Sequence, residues 1–354
     1  MKILVINPGS TSTKWAIYND RELVWKHTAQ HSADDLKAFH HTNEQLPMRI
    51  EATLKALEVA GVAPTEFDVV IARGGLFKPT PSGVYKIDRT MIDDLLNASL
   101  EHACNLGALV AQEIASMSNC PALIADPEVA DEFMDEARLS GIPGINRLSV
   151  FHALNTKAVA RRYARSKGCK YEDLNLIMVH LGGGISVGAH RKGLVIDVNN
   201  ALNGDGPFSP ERAGTVPADQ LVELCFSGQY DKRQVKRMLN GNGGLKAHLG
   251  TTDVKHIAEQ AQMGVEPYKS VLDTMLYTVA KCVGERAVAL CGKVDAIIIT
   301  GGIAYSDYCV KGICKWISWI APIEISAGED ELDSLAFNAY EAILGNLPIK
   351  DYNP

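Results

Sequence analysis

Three short stretches rich in glycine, serine and threonine each follow an apolar run of the sequence. They are NPGSTSTK at residues 7–14, HLGGGIS at 180–186 and TGGIAYS at 300–306, and we call them the first, second and third turns. The N–H groups of such turns can point together and form a cradle for an anion. Lys14 adds a mobile charge that could follow a transferred phosphoryl group. The three turns together favour phosphate chemistry, although each alone is also typical of an ordinary turn.

Charged side chains elsewhere in the sequence add to this pattern. Arg73 and Asp126 each end an apolar run, His152 opens a helical stretch, and Arg212 lies in the loop FSPERAG. Each alone would more often be a surface residue or a helix cap. Together, arginines and imidazoles could stabilise the charge of a transferring phosphoryl group, and carboxylates such as those of GEDEL (328–332) could hold Mg²⁺. This much positive charge favours an anionic acceptor over a sugar hydroxyl.

The elements around the first two turns repeat along the chain. The segment KILVINPGSTSTKWAIY predicts a strand, a turn and a strand, and a third strand follows. LNLIMVHLGGGISVGAHRKGLVIDV has the same order 173 positions later, which aligns Asn7 with His180 and Gly9 with Gly182. A repeat at half the chain length indicates two related domains, as does a length of 354 residues.

Apolar residues at helical spacing predict most of the remaining elements. Apolar runs before RGG, before DP and before the third turn read as further strands. Helices are expected at 33–41, 47–60, 90–118 (in two pieces), 152–168, 217–227, 231–239, 252–262 and 265–292, and a last strand and helix at 322–345.

The composition limits the classes of function. A net charge of −7 argues against a nucleic-acid or anionic-membrane partner. The sequence has no apolar stretch long enough to span a membrane, and the first apolar run stops at Asn7, so no signal peptide is expected. Eight cysteines without Cys-x-x-Cys spacing indicate reduced thiols in the cytoplasm rather than a zinc site. Neither the P-loop pattern nor Gly-x-Gly-x-x-Gly occurs.

Eight motifs in order resemble the acetate kinase family, and in particular its branch that acts on butyrate. They are VINPGSTSTK, RGGLFKPTPSGVY, EHACNLGA, IADPEVADEF, FHALNTKAVAR, VHLGGGISVGAH, GPFSPERAG and TGGIAYS. The resemblance implies an α/β fold of two related ribonuclease H-like domains (the actin-like ATPase fold). Each domain would be a mixed β-sheet flanked by helices, with the active site in the cleft between them. The expected boundaries are 1–150, completed by the C-terminal helix at about 332–354, and 151–331, which carries the adenosine site.

The resemblance also implies a role for each candidate residue. The nucleotide- and phosphate-binding set would be Asn7, Ser10, Ser12, Lys14, His180, Gly182, Gly183, Gly184, Gly301 and Gly302. The catalytic set would be Arg73, Asp126, His152 and Arg212. In that set the arginines would hold the carboxylate and the phosphoryl group, His152 would stabilise the transition state, and Asp126 would orient the site or the metal. The metal would lie near Asn7 and either Glu329 or Glu331. Arg73 departs most from the family pattern, because acetate kinases have His-Gly-Gly where this chain has Arg-Gly-Gly.

The implied reaction is Mg²⁺-dependent phosphoryl transfer between ATP and a short-chain fatty acid, butanoate + ATP = butanoyl phosphate + ADP, which fermentation can run toward ATP synthesis. Acetate, propionate and isobutyrate are the alternative acids, although Pro8 and Thr11 of the first turn and the short chain favour butyrate. A nucleotide-binding regulator without an acceptor site is a more distant alternative. The presence of Arg73, His152 and Arg212 argues against it. The family also implies a homo-oligomer, at least a dimer, in the cytoplasm.

Overall fold

The computed structural model describes residues 1–9, 11–32, 36–98, 102–202 and 204–353. The chain forms two compact units, unit 1 (Met1–Ala130 with Asp330–Pro354) and unit 2 (Asp131–Glu329). Residues 131–150, which we grouped with the first domain from the sequence, lie in unit 2. There the Met134 N–H donates to the Ile196 carbonyl at 3.0 Å, and Arg147 pairs with Asp197 at 2.8 Å.

Unit 1 is built on a mixed sheet of seven strands in the described part of the chain. The strands are β1 (Lys2–Pro8), β2 (Ser12–Asn19), β3 (Glu22–Gln30), β4 (Val69–Arg73), β5 (Val84–Lys86), β6 (Ala122–Ala125) and β12 (Ile349–Lys350). Their order is β12-β5-β6-β4-β1-β2-β3. Strand β1 is antiparallel to β2 and parallel to β4. Ile3 to Ile6 are completely buried, because helices cover both faces of the central strands.

Helices in the described part of unit 1 support this sheet. They are α1 (Leu46–Ala60), α2 (Arg89–Leu96), α3 (Asn105–Ser118) and α11 (Glu331–Ile343). Helix α1 ends at Gly61, whose φ of 68° is the left-handed conformation that favours glycine at a helix end. Helix α11 comes from the end of the chain and packs on β1 and β4. The helix predicted at 33–41 includes residues 33–35, which lie outside the described residues.

In its described residues, unit 2 contains a five-stranded mixed sheet with the same core order as the sheet of unit 1. Its strands are β7 (Asn175–Leu181), β8 (Ile185–Arg191), β9 (Leu194–Val198), β10 (Ala296–Gly301) and β11 (Ile323–Ala327). The order β11-β10-β7-β8-β9 matches β6-β4-β1-β2-β3, with the same parallel and antiparallel pairs. Strand β7 spans the residues of β1 shifted by 173, so the repeat read from the sequence is confirmed.

Helices surround the second sheet. They are α4 (Ala153–Ser166), α5 (Ala218–Phe226), α6 (Lys232–Leu239), α7 (Gly244–Leu249), α8 (Val254–Gln262), α9 (Tyr268–Ala289) and α10 (Asp307–Ile317). Helix α9 buries Leu272, Met275 and Val279 against the sheet. The sequence predicted these helices except α7 and α10. Among the helices of the described residues, none combines the length and the apolar character needed to cross a membrane.

Candidate active site

The second turn brings main chain and a half-buried arginine into direct contact. Leu181 and Ile185 are the last paired residues of β7 and β8, so Gly182 to Gly184 connect the strands. A Cβ atom on Gly184 would lie 1.8 Å from Nη1 of Arg212, and one on Gly182 would lie 3.0 Å from Nε2 of His180. A side chain at position 184 would therefore displace the Arg212 guanidinium.

Arg212 packs against this turn, and not all of its hydrogen-bond donors have partners among the described residues. Its Nη1 donates to the carbonyl of Ala201, while Nε is buried and has no hydrogen-bond partner among the residues that the structure describes. Burial lowers the pKa of Arg212, and Glu211 partly opposes that shift. Buried polar atoms normally have partners, and a guanidinium prefers an anionic oxygen. Arg212 is thus suited to bind an anion.

Two stacked histidines lie at the same end of the unit 2 sheet. The rings of His152 and His180 are parallel within 12° and their centroids are 3.9 Å apart. His180 is completely buried, and its Nδ1 lies 2.9 Å from Oδ1 of Asn155. Its Nε2 lies 2.6 Å from Oε1 of Glu329. Nδ1 of His152 lies 2.8 Å from Oγ of Ser186. These contacts fix both rings at the edge of the second turn.

The third turn packs against the end of β7. Gly301 has a φ of 91°, and a Cβ atom there would lie 2.3 Å from the Leu181 carbonyl oxygen. Gly301 and Gly328 exchange N–H to carbonyl hydrogen bonds of 3.2 and 3.0 Å. Gly302 faces open space, since a Cβ atom there would meet nothing within 4 Å. The close packing of Gly301 brings the second and third turns of unit 2 side by side.

A cavity of about 760 Å³ lies within unit 2 beside these two turns. Its walls combine main chain of glycines with polar side chains and a few apolar ones. Among the residues that line it are Gly182, Gly183, Gly302, Glu211, Lys255, Gln262, Tyr305 and Tyr308. Small-molecule sites have volumes of about 300 to 1,000 Å³. The cavity therefore has the size of a nucleotide site with one glycine-rich wall.

In unit 1, three predicted residues form a connected polar group. Asn7 is buried at the end of β1 and donates through Nδ2 to Oε2 of Glu331 at 2.6 Å. Arg73 ends β4, and its Nη1 donates to the same carboxylate oxygen at 3.2 Å. Nε of Arg73 donates to Oε1 of Glu128 at 2.5 Å. Burial lowers the pKa of Arg73, but Glu128 and Glu331 together raise it well above its ordinary value, so Arg73 stays charged.

Glu128 is a functional candidate that the sequence reasoning missed. It lies two residues after Asp126 in the motif IADPEVADEF, and its side chain is only 14% exposed. The sequence signal for Glu128 was its position as an acidic residue two places after a predicted site residue. Spacing alone does not tell which carboxylate of such a loop turns toward an arginine.

Asp126 occupies a strained backbone position. It directly follows β6, is 1% exposed, and has a φ of 40°. Its N–H donates to the Gly83 carbonyl at 2.9 Å. Non-glycine residues in this left-handed region cost about 1–3 kcal/mol and occur often at functional sites. Ala125, which precedes Asp126, pairs with Arg73 across the parallel strands β4 and β6. Asp126 and Arg73 therefore lie at the same edge of the sheet, the edge formed by the carboxyl ends of these strands.

The first turn joins β1 to β2 at this edge. Pro8 and Thr13 are the last paired residues, and the Gly9 N–H donates to the Ser12 carbonyl at 2.7 Å. Lys14 is exposed and pairs with Asn7 across the hairpin. Ser10, which we also predicted to bind phosphate, lies outside the described residues. Unit 1 thus brings Asn7, Arg73 and Glu331 into contact and places Lys14 next to them.

The two acidic candidates for the metal separate between the units. Glu331 contacts Asn7 in unit 1, whereas Glu329 contacts His180 in unit 2. Within the described ranges, no three His, Cys, Asp or Glu side chains are grouped to hold a metal. Mg²⁺ commonly takes one or two carboxylates and completes its shell with phosphates and water. The Asn7–Glu331 pair fits that mode of binding, with Glu331 supplying the carboxylate.

Comparisons with known proteins agree with the fold and the motifs. The model of the acetokinase family matches residues 139–320. "Probable butyrate kinase" of Phocaeicola vulgatus is 64% identical over the full length of both chains, and "Butyrate kinase 1" of Clostridium acetobutylicum is 45% identical over 99% of both. The crystal structure of Porphyromonas gingivalis acetate kinase shares the fold, with a TM-score of 0.79 at 18% identity over 97% of this chain and 99% of that chain. The chain belongs to the acetokinase family, a family of phosphotransferases, and the predicted family and fold are confirmed.

Proposed function

We propose that the protein transfers the γ-phosphoryl group of ATP to the carboxylate of butyrate, giving butanoyl phosphate and ADP, and that it also catalyses the reverse reaction. The observation that carries this proposal is the cavity of unit 2, which has nucleotide size and is bordered by both glycine-rich turns. Membership of a phosphotransferase family supports ATP as the substrate. The names of relatives at 45–64% identity support butyrate as the acid.

Unit 2 would hold the nucleotide. Adenosine would occupy the cavity against Gly301 and Gly302, and the phosphates would lie along Gly182 to Gly184. The incompletely bonded Arg212 would donate to the transferring phosphoryl group, because its equatorial oxygens carry the charge of the transition state. His180 and His152, held by Asn155 and Ser186, would supply further donors to that charge.

Unit 1 would supply the groups for the acid and the metal. Arg73 stays protonated beside two carboxylates, so it can bind the butyrate carboxylate without any proton transfer. Lys14 is exposed beside Asn7 and would follow the phosphoryl group. Ser10 and Ser12 would donate to it from the first turn. Asn7 and Glu331 would hold Mg²⁺, which when bound screens the negative charge of the phosphates. Asp126 would orient the site or the metal.

The chemistry needs no strong base. A carboxylate is ionised at neutral pH, so one of its oxygens can attack the γ-phosphorus directly. The new bond joins that oxygen to phosphorus, and the bond between the γ-phosphorus and the β,γ-bridging oxygen breaks, which leaves ADP. The protein's contribution is therefore to position the two anions in line and to neutralise their repulsion.

Trapping of the product tests this function. Purified protein, ATP and Mg²⁺ would be incubated with straight-chain acids from two to six carbons and with isobutyrate, and acyl phosphate would be trapped with hydroxylamine. We expect the highest kcat/KM with butyrate. Since one methylene in an apolar pocket is worth about 1–3 kcal/mol, acetate should be slower by roughly 10-fold or more. A higher kcat/KM with acetate, propionate or isobutyrate would overturn the choice of acid, and no acyl phosphate from any acid would overturn the reaction.

A further inference from the structure

A buried arginine on helix α1 lies directly behind the first turn. Arg49 is 1% exposed. Its Nη1 donates to the Ser12 carbonyl at 3.0 Å and to Oγ1 of Thr13 at 2.7 Å. Its Nη2 donates to Oε1 of Gln45 at 3.0 Å. One planar guanidinium thus connects α1 to two consecutive residues at the point where the first turn enters β2.

The Ser12 carbonyl is the acceptor that closes the turn. It receives the Gly9 N–H at 2.7 Å as well as Nη1 of Arg49. Thr13 is held from its other side, since Nε2 of His31 lies 2.8 Å from its hydroxyl. The direction of the Ser12 peptide is therefore fixed by α1 rather than by the turn alone. Arg49 thereby orients the Ser12 peptide at the point where the turn enters β2.

Burying a guanidinium costs free energy, so a role for Arg49 that only fills space would be unfavourable. The effective penalty is several kcal/mol per buried ion, and burial lowers the pKa of Arg49 to about 10. A lysine could not reproduce the contacts, because its single nitrogen cannot match the geometry of a planar fork. The helix instead presents one rigid donor group to the turn.

We propose that Arg49 is a positioning residue that holds the first turn in the shape needed to receive the transferring phosphoryl group. This inference rests on the proposed phosphotransferase function, and Arg49 itself touches neither substrate. Loss of Arg49 should impair phosphoryl transfer more than nucleotide binding, because the nucleotide would bind in the cavity of unit 2. A displacement of about 1 Å in such a group can cost roughly 100-fold in rate.

The chain offers a matched control on the same helix face. Thr53 lies one turn after Arg49, is completely buried, and accepts a hydrogen bond from Nε1 of Trp15 at 3.1 Å. It also donates to the Arg49 carbonyl at 2.8 Å. Thr53→Val therefore removes a buried polar group between α1 and β2 without removing a bond to the first turn.

The experiment compares Arg49→Lys, Thr13→Val and Thr53→Val with the unmodified protein for kcat, Kd of ADP and Tm. We expect kcat to fall about 10- to 100-fold in Arg49→Lys, with Kd of ADP changed less than threefold. Thr13→Val, which removes one of the two acceptors in the turn, should give a smaller loss of the same kind. If Arg49→Lys does not fold, Thr13→Val decides.

The proposal is overturned if Arg49→Lys and Thr13→Val keep kcat within twofold of the unmodified protein. It is also overturned if Thr53→Val loses as much kcat as Arg49→Lys at a similar loss of Tm, because the role would then be structural. Absence of acyl phosphate formation by the unmodified protein would instead count against the proposed function, so the two failures are distinguishable.

Discussion

The first and second turns occupy the same place in two related sheets but differ in the groups that they could offer to an anion. In the first turn, serines, threonines and Lys14 supply side-chain donors, and Arg49 holds the main chain from behind. In the second turn, three glycines leave the main chain bare, and Arg212 packs directly on it. The connection 182–184 is also one residue shorter than 9–12.

The two arginines also differ in their hydrogen bonds. Arg49 donates to the turn and to Gln45 through both terminal nitrogens. Arg212 donates to the Ala201 carbonyl, and its Nε lacks a partner within the described part of the chain. Both terminal nitrogens of Arg49 donate to the first turn or to its own helix, whereas the Arg212 guanidinium packs on the bare main chain of the second turn. We therefore expect the second arginine to act on the substrate and the first to position the turn.

The largest expected effect on kcat is that of replacing Arg212, which packs on the second turn. Arg212→Ala removes the donor that we expect to act on the transition state, so kcat should fall by roughly 100-fold or more. The affinity for ATP, measured by calorimetry, should change little. Arg237→Ala, which removes an exposed arginine from α6 of the same unit, should leave kcat unaltered. Near-normal turnover of Arg212→Ala would show that the two arginines do not differ as we infer.

An intermediate effect should separate the glycines of the two turns. A methyl group on Gly184 would lie 1.8 Å from Arg212, whereas one on Gly9 would meet nothing closer than 3.5 Å. Overpacking of a filled site costs about 1–3 kcal/mol. We therefore expect Gly184→Ala to lower the Tm by several degrees and Gly9→Ala to leave it almost unchanged. Equal Tm values for both variants would mean that Arg212 moves aside freely.

The smallest expected effect concerns the strands that follow the turns. His190 of β8 pairs with Leu176, as Tyr18 of β2 pairs with Ile3 in the related hairpin. Burial, aided by Lys157, lowers the pKa of His190 from 6.5 to about 3. In the unfolded chain His190 binds a proton below about pH 6.5, whereas in the folded protein it stays neutral down to about pH 3. The stability contributed by neutral His190 is therefore complete above pH 6.5 and is lost as the pH falls.

Urea unfolding at pH 7 and pH 5.5 measures this difference. The unmodified protein should lose about 1 kcal/mol more stability over that interval than His190→Gln. Tyr18→Phe is the control at the related position. Burial raises the pKa of Tyr18 above its ordinary value, so its removal should not change the pH dependence in this range. Identical pH dependence of all three proteins would show that His190 does not titrate differently on folding.

Much of the fold could be predicted from the sequence because its signals are local. Apolar runs such as Ile3 to Ile6 and the glycines that end them define strands and turns wherever they occur, and the repeat at 173 residues joined the two hairpins correctly. Helix α7 was missed because a stretch of six residues, Gly244–Leu249, carries too little periodicity. Helix α10 was also missed, although the 11 amphipathic residues Asp307–Ile317 carry a helical signal that the prediction did not use.

The candidate site was predicted less completely, because its contacts join distant residues. Asn7 and Glu331 are 324 positions apart and meet only because α11 packs on β1. The sequence left Glu329 and Glu331 as alternatives for one role, whereas in the structure each contacts a different predicted residue. Arg49 had a signal that we did not use, namely an arginine on the face of α1 that also buries Thr53 and Leu57.

The sequence by itself determined which backbone segments can approach an anion, because glycine and small side chains impose that property wherever they stand. It also determined the family, through motifs spread over the whole chain. Only the tertiary structure decided which charged groups are buried and what partners they have. Glu128 accepts a hydrogen bond from Arg73, Glu331 accepts one from Asn7, and Nε of Arg212 has no partner among the described residues. Burial and pairing depend on the packing of remote elements, and that packing sets the strength of every charge in the site.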